Sequence, residues 1–302
     1  ALRRAKHPAL ASWWKLGAEL LEGGQVKVPE HPPLYSGNEK VRIAAIQMEA
    51  VACSVQGVSL VERALRGVEA DLIVLPERVL CADSIESLVE EDLEVVITGV
   101  RDAVRKAGMA TVVVVGMPWI VDGGVRNSAF VIAPDGSVLT RYDQVSARPP
   151  FVPGVELKPM WFQVNGVWCV VTLGEDHLWD EIAELAALRG AQILINMNHS
   201  SVDPDRRDIF WQAFSMFRTT SVFVNSVSHG RRSGGNGCSV IYDTPIDTRI
   251  TYPIALARAA EAASIISGVY SPGEIPTWAE RGPARLEAMG DWWRYGAQLI
   301  GP

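Results

Sequence analysis

Two short segments of the chain carry side chains that could do chemistry. Glu77 follows Pro76 at the end of an apolar run, which predicts a position at the carboxyl end of a strand, where α/β sheets bind ligands. Taken alone, it is more simply a solvated loop residue. The second segment, Gly174-Glu175-Asp176-His177, lies between a predicted strand and a predicted helix. Such a strand–turn–helix element presents one residue at a sharp turn, which suits a nucleophile, but the residue at this turn is Gly174, which has no side chain.

The neighbours of Gly174 allow two further hypotheses. His177 could be a general base, although a histidine near a helix start is more often a structural hydrogen-bonding residue. Glu175, Asp176 and His177 could also bind a metal ion, with His199 and Asp203 as additional ligands. Because consecutive residues rarely converge on one ion, we predict no metal site.

Alternating strands and helices must position these segments. Apolar runs predict strands at 41–48, 71–76, 111–115, 127–132, 138–142, 167–172, 193–196, 221–227 and 239–242. Helical periodicity predicts helices at 58–68, 88–107, 180–189, 209–218 and 255–265. Many of the strands are apolar throughout, which indicates burial on both faces and therefore a layered α/β architecture.

The composition is that of a folded globular protein, with 302 residues of which 48% are hydrophobic and 21% charged. The net charge of −7 and the scattered Lys and Arg argue against nucleic-acid binding. No apolar run reaches the roughly 18–20 residues of a membrane span, and the N-terminal region lacks the apolar stretch of a signal peptide. Four widely spaced cysteines with no CxxC pair indicate free thiols, so we predict a cytoplasmic protein.

The two ends of the chain differ from its centre. Residues 1–40 predict a helical arm followed by a proline-rich linker, and residues 271–302 predict an aromatic C-terminal extension. Each end carries a pair of adjacent tryptophans. These ends could pack on the core, because Trp is normally buried. Alternatively, residues 1–40 and 290–302 could bind a protein partner, because aromatic residues are enriched at interfaces.

Seven stretches of the sequence occur in the order that is found in one known family. They are VRIAAIQM (41–48), ADLIVLPE (70–77), GMPW (116–119), NSAFVIAPDGSVLTRYDQ (127–144), FVPG (151–154), GVWCVVTLGEDHLWDEIAELAALRGAQILIN (166–196) and GCSVIYDTP (237–245). Through them the chain from about 41 to 244 resembles the nitrilase superfamily of carbon–nitrogen hydrolases. The resemblance implies an α/β fold, a four-layer αββα sandwich at 41–270, and a homodimer or higher oligomer.

The resemblance also implies a set of catalytic positions. Family members use a cysteine nucleophile, a glutamate base, a lysine that stabilises the tetrahedral intermediate and often a second glutamate. Position by position, these fall on Gly174, Glu77, Gln144 and Pro150. Only the base is retained, and loss of one member of such a unit removes most of the rate. We therefore predict a pseudoenzyme without a cofactor, which acts as a structural, regulatory or ligand-binding subunit.

Two active alternatives stay open. Glu77 could activate a water molecule with help from His177 or Arg148, which would give an amidase-like hydrolase with a changed mechanism. In the other alternative, a different thiol serves as the nucleophile, and the candidates are Cys81, Cys169 and Cys238.

A ligand pocket is the last feature that the resemblance implies. It could hold a small amide or carboxylate between Glu77, Gln144 and the backbone amides near Gly174. Its predicted lining comprises Trp119, Arg148, Glu175, Asp176, His177 and Trp179.

Overall fold

The structure is a computed structural model that describes most of residues 40–270. The described residues are 40–51, 55–80, 88–108, 110–121, 124–157, 160–179, 182, 186, 191–199, 220–227, 235–243, 252–256 and 264–270. The features predicted for 1–39 and 271–302 lie outside them, as do the predicted helix at 209–218, Cys81 and Asp203.

The strands of the described part form two six-stranded sheets. From edge to edge, the first sheet contains β12 (Ser264–Tyr270), β1 (Val41–Gln47), β2 (Leu72–Val74), β3 (Val112–Val121), β4 (Gly124–Ile132) and β5 (Val138–Asp143). The second contains β11 (Tyr252–Leu256), β10 (Val240–Asp243), β9 (Thr220–Asn225), β8 (Ile193–Asn198), β7 (Val167–Leu173) and β6 (Trp161–Val164). The central strands β1–β2–β3 and β7–β8–β9 pair in parallel, and the outer strands pair antiparallel.

The first sheet is buried on both faces, as its apolar strands predict. Val41 and Ile43 on one face of β1 pack with the second sheet, whereas Ala44 and Ile46 on the other face pack beneath two helices. These helices are α1 (Val55–Leu65) and α2 (Glu90–Ala107). On the second sheet, Ile182 and Ala186 are helical and buried in the core that the two sheets share. The predicted α/β fold is confirmed, with two stacked sheets and with α1 and α2 against the outer face of the first sheet.

The helix predicted at 255–265 is wrong at both of its described ends. Residues 252–256 form β11 and residues 264–270 form β12. All seven residues of β1 pair with β12, and β11 pairs with β10. The alanine-rich sequence favours a helix locally, but pairing with strands distant in the sequence overrides that propensity.

One hairpin was not predicted from the sequence. Strand β6 pairs antiparallel with β7 through the turn Asn165-Gly166, where both residues have positive φ angles of 49° and 80°. Asn-Gly is the dipeptide that two-residue hairpins favour, because both turn positions require a positive φ. The signal was therefore present in the sequence, next to a strand of only four residues.

The other predicted elements differ from the structure mainly in their ends. Helix α1 begins three residues earlier than predicted, and β3 continues past Gly116 and Pro118 to Val121, where it turns into β4. Among the described helices, none is both long and apolar enough to cross a membrane.

Candidate functional site

Three strand ends from the two sheets bring Glu77, Gln144 and Gly174 together. Glu77 follows β2, Gln144 follows β5, and Gly174 follows β7. A Cβ atom built on Gly174 would lie 2.7 Å from Gln144 Nε2 and 3.4 Å from Glu77 Oε2. The positions that the resemblance assigns to the base, the lysine and the nucleophile are therefore adjacent in space.

Asn127, on β4, links two of these side chains. Its Nδ2 donates to Glu77 Oε1 at 2.6 Å and to Gln144 Oε1 at 2.8 Å. All three side chains are buried. In the described part of the chain, Asn127 Oδ1 has no hydrogen-bond partner. Sequence reasoning missed Asn127, which stands between Arg126 and Ser128 in β4, so no local pattern sets it apart from its polar neighbours.

The Glu77 carboxyl is held in a largely desolvated environment. Burial raises its pKa to about 7, and a repulsive interaction with the charge of Asp176 acts in the same direction. The hydrogen bond from Asn127, the charge of Arg78 and a backbone hydrogen bond from His199 lower the pKa without cancelling the effect of burial. A carboxyl group with a pKa near 7 is suited to exchange protons at neutral pH.

Gly174 adopts the backbone conformation of a sharp turn. Its φ angle is +48°, in the region that glycine enters most readily, and it begins a short 3-10 helix, Gly174–Leu178. This turn precedes the helix predicted at 180–189, in which the two described residues, Ile182 and Ala186, are helical. Asn196 Nδ2 donates to the Gly174 carbonyl oxygen at 3.3 Å, which connects the turn to β8.

His177 acts as a structural hydrogen-bond donor in this turn. Its Nδ1 contacts the carbonyl oxygen of Gly174, so the neutral ring donates its Nδ1–H there. Burial lowers the pKa of His177 to about 4. The imidazole is therefore neutral near pH 7, which agrees with the structural alternative given for this residue.

Asp176 holds the turn against β5 instead of facing an open space. It is fully buried and accepts hydrogen bonds from the Tyr142 hydroxyl and the Ser146 backbone amide, both at 2.7 Å. Burial raises the pKa of Asp176 to about 6. These contacts fix the segment that carries Gln144 beside Gly174.

Arg148, Pro150 and Glu175 lie at the outer rim. Arg148 Nη2 and Glu175 Oε2 form an ion pair at 2.6 Å, and the two side chains are 77% and 46% exposed. Pro150 is exposed and follows a cis peptide bond. Arg148 therefore already has a carboxylate partner at the surface, and Pro150 adds no charge to the site.

The two tryptophans predicted to line a pocket pack on different cores. Trp119 meets Phe130 edge-on, with ring centroids 5.2 Å apart, beside the core beneath the helices. Trp179 packs against the core between the sheets. Their role in lining a pocket stays a prediction.

The described cysteines are buried, and the candidate metal ligand His199 contacts another side chain. Cys169 is fully buried inside β7, and burial raises the pKa of its thiol. Gly174 lies five residue steps further along the chain, which is about 17 Å at roughly 3.3 Å per residue. Cys238 is also buried. Within the described residues no group of three or more His, Cys, Asp or Glu could hold a metal ion, and His199 Nδ1 lies 2.6 Å from Ser226 Oγ.

Comparison with known proteins identifies the family. The model of the carbon–nitrogen hydrolase family matches residues 42–243, about two thirds of the chain. The chain therefore belongs to the carbon–nitrogen hydrolase family, which confirms the resemblance drawn from the sequence. No curated protein sequence matches it.

Several solved structures share the fold. An amidase from Nesterenkonia sp. superposes with a TM-score of 0.67 and 19% identity, covering 83% of this chain and 98% of the amidase. A second structure is a variant of the Nesterenkonia AN1 amidase in which a cysteine is replaced by alanine, in complex with butyramide. It superposes with a TM-score of 0.66 and 19% identity, covering 85% of this chain and 96% of the variant. A third structure is a variant of that amidase in which a glutamate is replaced by leucine, with the acetamide moiety of fluoroacetamide bound covalently to the active-site cysteine. It superposes with a TM-score of 0.68 and 20% identity, covering 83% of this chain and 96% of the variant.

Proposed function

We propose that this protein is a non-catalytic member of the carbon–nitrogen hydrolase family, which acts as a structural, regulatory or ligand-binding subunit. One observation carries the proposal: Gly174 occupies the turn after β7, next to Glu77 and Gln144, where a nucleophile would be needed. A glycine supplies no atom that can form an acyl-enzyme.

The remaining groups of the site support the same proposal. The Nesterenkonia amidase forms its covalent adduct on an active-site cysteine, and this chain has no thiol at the corresponding turn. Gln144 is neutral, so it would stabilise developing negative charge by a hydrogen bond alone. A neutral hydrogen bond is weaker than the charge-assisted one that a lysine makes.

The described cysteines are poor substitutes for the missing nucleophile. Attack requires a thiolate, and burial raises the pKa of the Cys169 thiol within β7. Cys238 is buried as well. For either of these two described thiols to serve as the nucleophile, the protein around it would have to open.

A non-catalytic subunit can act through its ligand or through its partners. Glu77, Gln144 and the backbone near Gly174 offer hydrogen bonds to a small amide or carboxylate. We further propose a homodimer or higher oligomer, with residues 1–40 and 290–302 as the sites that bind a protein partner. A cytoplasmic location is inferred from the dispersed cysteines alone.

A water-activating hydrolase is the second candidate, and one observation favours it. The pKa of Glu77 is raised to about 7, which is the range that a general base needs near neutral pH. In this mechanism Glu77 would take a proton from water, the resulting hydroxide would attack the amide carbonyl carbon, and Glu77 would return the proton to the departing nitrogen as the C–N bond breaks. Without a covalent intermediate, any turnover should disappear when Glu77 is replaced.

Acyl trapping together with amide turnover tests both candidates. The protein is incubated with small amides and with an activated acyl ester, ammonia release is measured, and adducts are located by peptide mass. The matched control is Glu77→Gln, which keeps the size of the side chain and removes its ionisation. We expect no ammonia release above this control and no adduct at a single cysteine. Turnover lost in Glu77→Gln would establish water activation, and turnover with one modified cysteine would establish a relocated nucleophile.

A further inference from the structure

The side chain of Gln144 ends where a side chain at position 174 would begin. Its Nε2 is 2.7 Å from the place of a Cβ on Gly174, closer than real Cβ atoms approach another heavy atom. The absence of a side chain at Gly174 therefore makes room for the end of Gln144. The two residues are interdependent.

The Gln144 carboxamide is held at both of its polar atoms. Oε1 accepts a hydrogen bond from Asn127 at 2.8 Å, and Nε2 lies 3.2 Å from Ser146 Oγ, to which it donates. The side chain is buried. Because two hydrogen bonds already fix the Gln144 carboxamide, little conformational entropy is lost when it occupies this space.

The backbone of Gln144 is anchored as well. Its amide donates to the Asn127 carbonyl oxygen at 2.9 Å, and its own carbonyl oxygen accepts from the Gly154 amide at 2.7 Å. A Cβ on Gly154 would overlap the Asp143 carbonyl oxygen, so the chain at position 154 can approach Asp143 this closely only with glycine there. The backbone of Gln144 is therefore held in place at the point where its side chain enters the site.

We infer that the Gln144 carboxamide is a built-in occupant of the site, which closes it to free small primary amides. This inference rests on the proposed non-catalytic function, and it removes small primary amides from the ligands that were named there for this site. Glutamine carries the same carbonyl and NH₂ groups as a free primary amide, and the Asn127 donor that such a ligand would use is already taken by Gln144 Oε1. A free primary amide can therefore bind in this site only after the Gln144 carboxamide has left it.

Truncation of Gln144 followed by chemical rescue tests the inference. Gln144→Ala removes the atoms of one acetamide molecule, so acetamide fits the vacated space. The matched control is Gln163→Ala, which truncates an exposed glutamine on β6. Thermal unfolding is followed for the wild type and both variants in up to about 100 mM acetamide. At ten times its dissociation constant, acetamide should shift the unfolding equilibrium of Gln144→Ala about tenfold toward the folded state.

The same measurements define the contrary outcomes. The wild type and Gln163→Ala should show no more than a shared solvent effect, and equal stabilisation of the wild type would overturn the inference. A Gln144→Ala protein that acetamide does not stabilise would also overturn it. Ammonia release by the wild type in these samples would instead overturn the proposed function, so the two failures are distinguishable.

A second pair of variants keeps the test valid if Gln144→Ala does not fold. Gln144→Asn withdraws the carboxamide by one methylene and keeps its polar atoms. Gly174→Ala is then measured in the wild-type and Gln144→Asn backgrounds. The strain at φ +48° is common to both, so the added methyl group should destabilise the protein less beside Asn. An equal cost in the two backgrounds would contradict the inference.

Discussion

Glu77 is a carboxyl group that burial keeps partly protonated near neutral pH. Its pKa is raised to about 7, although Asn127 donates a hydrogen bond to it and Arg78 lies near enough to stabilise its charge. A pKa that differs between the folded and the unfolded chain makes the free energy of unfolding depend on pH.

Replacing Glu77 by Gln should reveal this dependence. The folded protein binds the proton more tightly than the unfolded chain, in which the pKa is about 4.5. The stabilisation is therefore complete below pH 4.5 and is lost as the pH rises to about 7. The difference in unfolding free energy between wild type and Glu77→Gln should fall by about 3 kcal/mol across this range. Urea denaturation at a series of pH values measures it, and a difference that does not change with pH would contradict the raised pKa.

The wild type is compared with Glu77→Gln, rather than studied alone, because other groups titrate in the same pH range. The pKa of His177 is lowered to about 4, so its contribution is present above pH 6.5 and is lost as the pH falls, opposite in sign to that of Glu77. The pKa of Asp176 is raised to about 6, so its contribution has the same sign as that of Glu77. Both groups remain in Glu77→Gln and largely cancel in the comparison.

At the scale of the elements, a close approach between β3 and the segment after β2 positions Glu77. A Cβ on Gly116, in β3, would lie 2.7 Å from the Cα of Glu77 and 2.8 Å from the Pro76 carbonyl oxygen. Neither contact can be relieved by a flexible side chain, because both atoms belong to the backbone. Glycine at this position therefore fixes how closely Glu77 approaches the sheet.

Gly116→Ala should accordingly destabilise the protein by about 3 kcal/mol, the upper range for an overpacked site. The matched control is Gly67→Ala. A Cβ on Gly67 meets nothing within 4 Å, but its φ of +77° should cost about 1 kcal/mol. Urea denaturation compares the two variants. A Gly116→Ala protein that is as stable as Gly67→Ala would show that the backbone around Glu77 can move aside.

A second arrangement of elements connects the two sheets at the site. Asp176, in the turn after β7, accepts hydrogen bonds from Tyr142 in β5 and from Ser146 beyond it. The turn and the segment that carries Gln144 are thereby held together. The sequence indicated that Asp176 and Gln144 belong to one site, but the buried contacts between their segments appear only in the folded structure.

At the scale of the whole molecule, the strand nearest the C-terminus of the described chain completes the first sheet. Strand β12 pairs with all seven residues of β1. Without β12, the backbone of β1 would form an exposed edge, and such edges favour aggregation. The folded unit should therefore extend through residue 270.

Two truncated chains test this boundary. We expect residues 40–270 to unfold cooperatively, because all the described strands lie within this range. Residues 40–263 lack β12 and should lose cooperative unfolding or aggregate. Circular dichroism melts and light scattering compare them, and equal stability would show that β12 is dispensable. The mass of the 40–270 chain in solution then shows whether oligomers need the ends that it lacks.

The sequence by itself determined the residues at the strand ends and the alternation of strands and helices. Apolar runs and turn residues act over a few positions, so Glu77 and Gly174 could be placed directly after predicted strands, and the family resemblance added Gln144. Family membership followed from the order of these short stretches along the chain. Each of these features is local, or depends only on sequence order.

Only the tertiary structure decided the pairing of β12 with β1, the bridging position of Asn127 and the contact between Gln144 and the space beside Gly174. Asn127 lies 50 residues from Glu77 in the sequence, and β12 lies more than 200 residues from β1. No local pattern encodes such contacts. They form because the stacking of the two sheets removes these groups from water, and buried polar groups and strand edges must then find partners within the protein.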